Sequence, residues 1–245
     1  MEKFLSYSRV IFTIFNFDLT INDAIFFAAF LLSLLIAVFF CYKKTLPLDT
    51  PLNLFIIAVV PAVLVGRLFV VLFDENILFE HFFKFGLGGL SSVGCLLGGS
   101  IALAIYTFLY LKKYGGYEIF IFFDLFCSVM FFAQGLLSLV SFNSLIGGRV
   151  YTSTVEFALY LLFFFYLLQM YLGVRKDGYT TGFYFIMFGI AKIITEYLRR
   201  DGFTLVVGSL NITQVLSVLF IIAGGLILYI SSKRYKQNKI KGNLL

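Results

Sequence analysis

Residues 53–73 read NLFIIAVVPAVLVGRLFVVLF, an apolar run in which Arg67 is the only charged side chain. A helix that crosses a bilayer needs about 20 mostly apolar residues, so this run is long enough to span a membrane. Six other stretches are similar in length and composition: 21–42, 88–111, 118–142, 155–173, 180–198 and 213–232. They are too long for the alternating strands of a membrane barrel. The sequence therefore predicts an all-α fold, a polytopic membrane helix bundle with about seven transmembrane helices.

The composition agrees with this fold and divides the chain into three regions. Hydrophobic residues make up 61% of the 245 residues, and only 13% are charged. Residues 1–20 contain no signal-peptide cleavage pattern and are predicted to form an interfacial lead-in helix. The membrane domain follows at 21–232, and a basic tail at 233–245. Cys41, Cys95 and Cys127 lie in or beside predicted spans, which favours free buried thiols over disulfides.

Positive charge is concentrated on one side of the predicted bundle. The net charge is +6, and the tail at 233–245 supplies five of the positive side chains. Beside a membrane helix, such a tail indicates contact with anionic lipid rather than with nucleic acid. The loops at 43–44, 112–113 and 175–176 add basic pairs on the same side. By the positive-inside rule, the C-terminus is predicted to be cytoplasmic and the N-terminus outside.

The sixth predicted span carries an unusual group of charges. Residues 188–201 read FGIAKIITEYLRRD, which places Lys192, Glu196 and Arg199 at positions i, i+4 and i+7. These positions share one face of a helix. Charges in a membrane helix are costly and nearly always face the protein interior or a wet cavity. The group is a candidate working site, although Lys192 and Glu196 alone would also suit a structural ion pair.

Other polar residues and glycines are predicted at the same depth, toward the outer leaflet. They are Arg67 in span 2, Gly88 and Gly89 at the start of span 3, Gln134 in span 4 and Glu156 in span 5. Simpler roles remain open for some residues of these spans. Arg67 could extend to the head groups, and Gly98 and Gly99 could allow close helix packing. Asp124 is predicted far from this group, where it would pair with a cytoplasmic lysine or cap a helix.

The chemistry of this group suits a phospholipid head group. Arginine binds phosphate as a planar fork and lysine as a point charge, and a helix N-terminus adds N–H donors. Glu196 would orient the cations or handle a proton. The sequence contains no His, Cys and Asp spacing typical of a metal site and no nucleotide-binding glycine loop. No metal or cofactor is therefore predicted.

The order of these features resembles the prolipoprotein diacylglyceryl transferase family. Residues 188–201 are similar to that family's Tyr-Gly-x-x-Arg-Phe-x-x-Glu-x-x-Arg-x-Asp motif, and Gln214 follows at the expected place before the last span. Residues 65–69 resemble the family's Gly-Ala-Arg-Leu stretch. Residues 88–99 resemble its Gly-Gly-x-x-x-His-Gly-x-x-x-Gly-Gly segment. The resemblance extends over roughly residues 20–232.

The resemblance implies an activity and roles for these residues. A multi-pass enzyme of the bacterial cytoplasmic membrane would transfer diacylglyceryl from phosphatidylglycerol to the lipobox cysteine of a prolipoprotein signal peptide, at a site facing the outer leaflet. Glycerol phosphate would be released. Glu196 and Lys192 would be catalytic. The head group would be bound by Arg67, Arg199, Arg149, Gly88, Gly89, Gln134 and Glu156.

The chain departs from the family pattern at several positions. Val93 replaces the family histidine, Ser138 and Ser141 replace an arginine and an asparagine, and Lys192 replaces an arginine. The glutamate that follows the asparagine in the family has no counterpart near 144–148. These differences favour an alternative, a non-catalytic or altered-specificity paralogue that binds phospholipid or lipopeptide. A small transporter is a second alternative, for which inverted repeats and interrupted helices would be typical.

Overall fold

The computed structural model describes residues 10–14, 17–47, 49–73, 82, 91–114, 119–139, 149–173, 176–198, 206–207 and 210–242. Its helices are α1 Ile21–Lys43, α2 Asp49–Phe73, α3 Ser92–Tyr114, α4 Ile119–Ser138, α5 Arg149–Gly173, α6 Tyr179–Leu198 and α7 Ile212–Gly242. Short antiparallel strand pairs also occur, β1 Val10–Ile14 with β2 Phe17–Thr20, and β3 Val206–Val207 with β4 Leu210–Asn211.

The predicted membrane bundle is confirmed. Seven of the described helices are long and apolar enough to cross a bilayer. Their outward faces carry large apolar side chains, among them Leu35, Ile101, Phe108 and Leu226, as expected of a surface solvated by lipid. Three helices extend well beyond their predicted bounds, since α2 begins at Asp49, α5 begins at Arg149 and α7 continues to Gly242. The orientation of the termini stays a prediction.

The predicted lead-in helix at residues 1–20 is wrong for the part that the structure describes. Residues 10–14 form β1, which pairs with β2 so that Val10 lies opposite Thr20 and Ile14 opposite Phe17. Every residue of the first strand, VIFTI, is β-branched or aromatic. Such residues lose side-chain freedom in a helix and pack well on a pleated surface, which explains the strand.

Glycines bring α2 and α3 into close contact. A Cβ on Gly94 would lie 2.9 Å from the Cα of Gly66, and a Cβ on Gly98 would lie 2.7 Å from the Cβ of Val65. Neither position can hold a side chain without a shift of the facing helix. The packing role considered for Gly98 is therefore confirmed. A Cβ on Gly99 would make only ordinary contact, at 3.5 Å from the Cβ of Ala62.

A second close pair joins α6 and α7 by the same means. A Cβ on Gly182 would lie 2.6 Å from the Cγ of Leu228, and a Cβ on Gly224 would lie 2.6 Å from the carbonyl oxygen of Gly182. Nearer the C-terminal end of α6, on the same interface, a Cβ on Gly189 would lie 2.5 Å from the carbonyl oxygen of Ser217. This spacing fixes α6, the helix of Lys192, against α7.

Asp124 of α4 caps the start of α6. Its Oδ2 accepts a hydrogen bond from the backbone N–H of Gly178 at 2.7 Å. Its Oδ1 accepts from the backbone N–H of Thr181 at 2.8 Å and from the Thr181 hydroxyl at 2.6 Å. Of the two roles predicted for Asp124, capping is the one observed. The carboxylate satisfies donors that the first turn of a helix leaves unpaired.

Candidate functional site

A buried ion pair joins α5 to α6. The Nζ of Lys192 donates to the Oε1 of Glu156 at 2.9 Å, and the two side chains are only 7% and 12% exposed. In the described part of the chain, Lys192 thus pairs with Glu156 and not with Glu196, four residues along its own helix. The structural ion pair considered between Lys192 and Glu196 is therefore wrong. Glu196 is itself buried, near the end of α6.

Aromatic rings from three helices surround this ion pair. The Lys192 ammonium lies 5.7 Å from the ring centroid of Tyr160 and 6.0 Å from that of Phe188. Phe131 of α4 stacks on Tyr160 with a centroid distance of 5.6 Å and lies 4.6 Å from Tyr184. A cation over aromatic faces gains electrostatic stabilisation without losing its N–H donors. The ammonium has three donors, and Glu156 uses one of them.

Gln134 of α4 joins the same cluster through Tyr184. Its Nε2 donates to the Tyr184 hydroxyl at 3.0 Å. Its Oε1 is buried and accepts no hydrogen bond from any residue that the structure describes. A buried amide oxygen in this state suits a donor from a ligand or a water. A chain of contacts through Tyr184, Phe131 and Tyr160 connects Gln134 with Lys192.

Arg67 of α2 is fully buried in the protein. Its Nε donates to the carbonyl oxygen of Phe82 at 2.9 Å. The guanidinium therefore does not run along an exposed face toward the head groups, which was the simpler role considered for it. The preceding residue, Gly66, abuts Cys95 of α3. Val93 and Leu96 of α3 pack in one apolar cluster with Tyr160 and Phe188, the rings beside Lys192. The α2–α3 pair thus borders the cluster around Lys192.

Four of the predicted site residues lie wholly or partly outside the described part of the structure. Gly88, Gly89 and Arg199 lie outside the described residues. For Arg149 only the backbone is described, as the first residue of α5, seven positions before Glu156. The predicted contacts of these residues therefore stay predictions.

Two of the departures from the family pattern are already engaged in the fold. Val93 is 2% exposed and packs in the apolar cluster that also contains Tyr160 and Phe188. Ser138 is buried, and its hydroxyl donates to the carbonyl oxygen of Gly135, in its own helix, at 2.6 Å. Neither position offers the imidazole or guanidinium that the family has there. Ser141 lies outside the described residues.

The polar cluster does not resemble a metal centre. Among the described residues, no three His, Cys, Asp or Glu side chains come together in a way that could hold a metal ion. Cys41, Cys95 and Cys127 are all free thiols, as predicted, and Cys41 and Cys127 are buried. The groups collected around Lys192 instead offer an ammonium, the Glu156 carboxylate and amide or phenol hydrogen bonds. Such a set can bind a phosphate together with hydroxyl groups.

Comparison with known proteins identifies the family. The family model described as prolipoprotein diacylglyceryl transferase matches residues 9–230. This chain belongs to that family. It is 25% identical, over an alignment 261 residues long, to the phosphatidylglycerol–prolipoprotein diacylglyceryl transferase of Clostridioides difficile (strain 630), covering 95% of this chain and 98% of that protein. It is 24% identical over 259 residues to the protein of the same name from Finegoldia magna, covering 96% and 98%.

Two residues of the cluster, Tyr160 and Tyr184, were not predicted from the sequence. Both are buried, Tyr160 beside the Lys192 ammonium and Tyr184 beside Gln134. Their spacing carried a signal, because Tyr160 follows Glu156 by four residues and Tyr184 precedes Lys192 by eight. These intervals place each phenol on the same helix face as the charge. In a chain with 15 tyrosines, however, spacing alone does not select these two.

Proposed function

We propose that this chain is a phosphatidylglycerol–prolipoprotein diacylglyceryl transferase whose head-group site is centred on Lys192. The observation that carries the proposal is the buried Lys192–Glu156 pair. It lies where the family motif has an arginine, in a chain matched to the family over residues 9–230. A cation held in a site of low dielectric constant stabilises developing negative charge better than one in water.

In the proposed reaction, the thiol of a lipobox cysteine attacks phosphatidylglycerol at the carbon of the diacylglyceryl unit that is bonded to the phosphate oxygen. The carbon–sulfur bond forms as the carbon–oxygen bond breaks, and glycerol phosphate leaves with the electron pair. Lys192 and Arg67, with Arg149 and Arg199, hold the phosphate and its growing charge. Glu196 receives the thiol proton, and Glu156 fixes the Lys192 ammonium. Gln134 accepts a hydrogen bond from a hydroxyl of the head-group glycerol through its buried Oε1.

A mass assay tests this proposal. The purified chain is given phosphatidylglycerol and a lipobox peptide, and transfer appears as a peptide mass gain of one diacylglyceryl unit. A peptide with serine in place of the cysteine is the blank. We expect Lys192→Met to lower the transfer rate by about 100-fold or more, as expected when a group that stabilises the transition-state charge is removed. Glu196→Gln should also lower it, while Lys43→Gln, at the opposite end of the bundle, should leave it unchanged.

The competing function is that of a phospholipid- or lipopeptide-binding relative without turnover. The burial of Val93 and the internal hydrogen bond of Ser138 favour it, because both replace functional family side chains. On purified protein it predicts no peptide mass gain but retention of phosphatidylglycerol that depends on Lys192. Full transfer activity in both Lys192→Met and Glu196→Gln would refute the proposed site.

A further inference from the structure

A second polar site lies at the opposite end of the bundle from Lys192. There the α1–α2 turn, the start of α4, the end of α5 and the α5–α6 turn enclose a cavity of about 310 Å³. Its walls include Lys44, Asp124, Tyr171, Lys176 and Asp177. Lys44 follows the first membrane span and Lys176 lies between the fifth and sixth, so the cavity sits at the level of lipid head groups.

Both lysines of this cavity are held in place by aromatic rings. The Nζ of Lys44 lies 5.0 Å from the ring centroid of Tyr171. The Nζ of Lys176 lies 4.9 Å from that of Tyr179 and 4.6 Å from that of Tyr235. No carboxylate of the described residues lies within ion-pair distance of either ammonium. A cation–π contact orients an ammonium without using its N–H donors, so both lysines keep donors for an anion.

The walls of the cavity also contain two acidic residues, Asp124 and Asp177. The two oxygens of Asp124 accept three hydrogen bonds from Gly178 and Thr181, which hold its carboxylate against the start of α6. Asp177 is the remaining carboxylate of the cavity, and its backbone carbonyl accepts a hydrogen bond from Ser231 of α7. Its side chain adds a negative charge that an anionic ligand must tolerate. Removal of that charge should therefore strengthen the binding of an anion.

We propose that this cavity binds the phosphate of an anionic phospholipid from the leaflet at the basic end of the bundle, between Lys44 and Lys176. The site is separate from the one proposed for transfer. Two ammonium groups suit a phosphate as point charges. The leaflet supplies such phosphates at high local concentration, and basic side chains at this depth attract them. The tail at 233–245 adds positive charge on the same side.

Native mass spectrometry of the full chain, in detergent with phosphatidylglycerol, tests the proposal. The variant Lys44→Gln/Lys176→Gln is compared with Lys43→Gln/Lys233→Gln, which removes the same charge from side chains that do not line the cavity. We expect the first variant to bind the lipid at least about tenfold more weakly, since each basic group near a membrane surface contributes severalfold. Asp177→Asn should bind it more tightly than wild type. Equal binding by the two double variants would overturn the proposal.

Site-resolved labelling identifies the source of the phosphate. In the wild-type protein, phosphatidylglycerol should slow reductive methylation of Lys44 and Lys176 but not of Lys43. Diacylglycerol, which has no phosphate, should not slow it. Protection by glycerol phosphate as strong as that by the lipid would identify a soluble phosphate as the ligand and overturn the lipid assignment. Protection by diacylglycerol would show that the cavity does not recognise phosphate.

Discussion

The buried pair of Lys192 and Glu156 predicts an unusual pattern of stability among three variants. Lys192→Met and Glu156→Gln each remove one charge of the pair and leave the opposite charge buried without this ion pair. The double variant Lys192→Met/Glu156→Gln removes both charges with little change in side-chain volume. We expect each single variant to be strongly destabilised and the double variant to be close to wild type.

The magnitude follows from the geometry of the pair. At the observed Nζ–Oε1 distance of 2.9 Å, an effective dielectric constant of about 20 gives an attraction of roughly 6 kcal/mol. Part of this attraction offsets the cost of removing both charges from water. Breaking a buried pair by removal of one partner typically costs about 3–5 kcal/mol, and that is the loss expected of each single variant. With a double variant close to wild type, the double-mutant cycle should then give a coupling energy of about 6 kcal/mol or more in favour of the pair.

The assay is unfolding of the purified chain in mixed micelles with increasing SDS. A thiol-reactive dye can report the transition, because Cys41 and Cys127 are free and buried in the folded protein. Lys43→Gln is the control, since that lysine ends α1 and its Nζ lies over the Phe39 ring without a carboxylate partner among the described residues. Single variants no less stable than this control would refute the reasoning. So would a double variant that is less stable than either single one.

Two further predictions concern how the helices are joined. Gly224→Ala should destabilise the protein by about 1–3 kcal/mol, because the new Cβ would lie 2.6 Å from the backbone oxygen of Gly182, which cannot move aside. Its neighbour is a matched control: Gly225→Ala meets nothing within 4 Å and should be neutral or slightly stabilising in the same unfolding assay. A similar loss in both variants would show that α6 and α7 do not pack at this point. Asp124→Ala should lower the free energy of unfolding by about 1–2 kcal/mol through loss of the cap on α6. Faster amide hydrogen exchange at Thr181 would be the specific sign of that loss, and unchanged exchange there would contradict the cap.

The site was only partly predictable from the sequence. A charge in an apolar run is visible in the sequence because it is rare and costly in lipid, which is why Arg67, Glu156 and Lys192 could be singled out. Their partners were not visible. The i, i+4 spacing made Glu196 the natural partner of Lys192, yet the ammonium pairs with Glu156 on another helix. Local spacing gives only the pairs that are possible within one helix.

The sequence by itself determined the seven spans. Each apolar run is long enough to cross a bilayer, and in lipid a helix satisfies the backbone hydrogen bonds of such a run within itself. It also made Gly98 and Gly99 candidates for close helix packing, since a missing side chain is a property of the residue. Only the tertiary structure decided which helices those glycines join and which carboxylate neutralises Lys192. It alone showed that Asp124 caps α6 and that Lys44 and Lys176 share a cavity. Each of these contacts joins residues far apart in the chain, and their distance is set by how whole helices pack rather than by any local pattern.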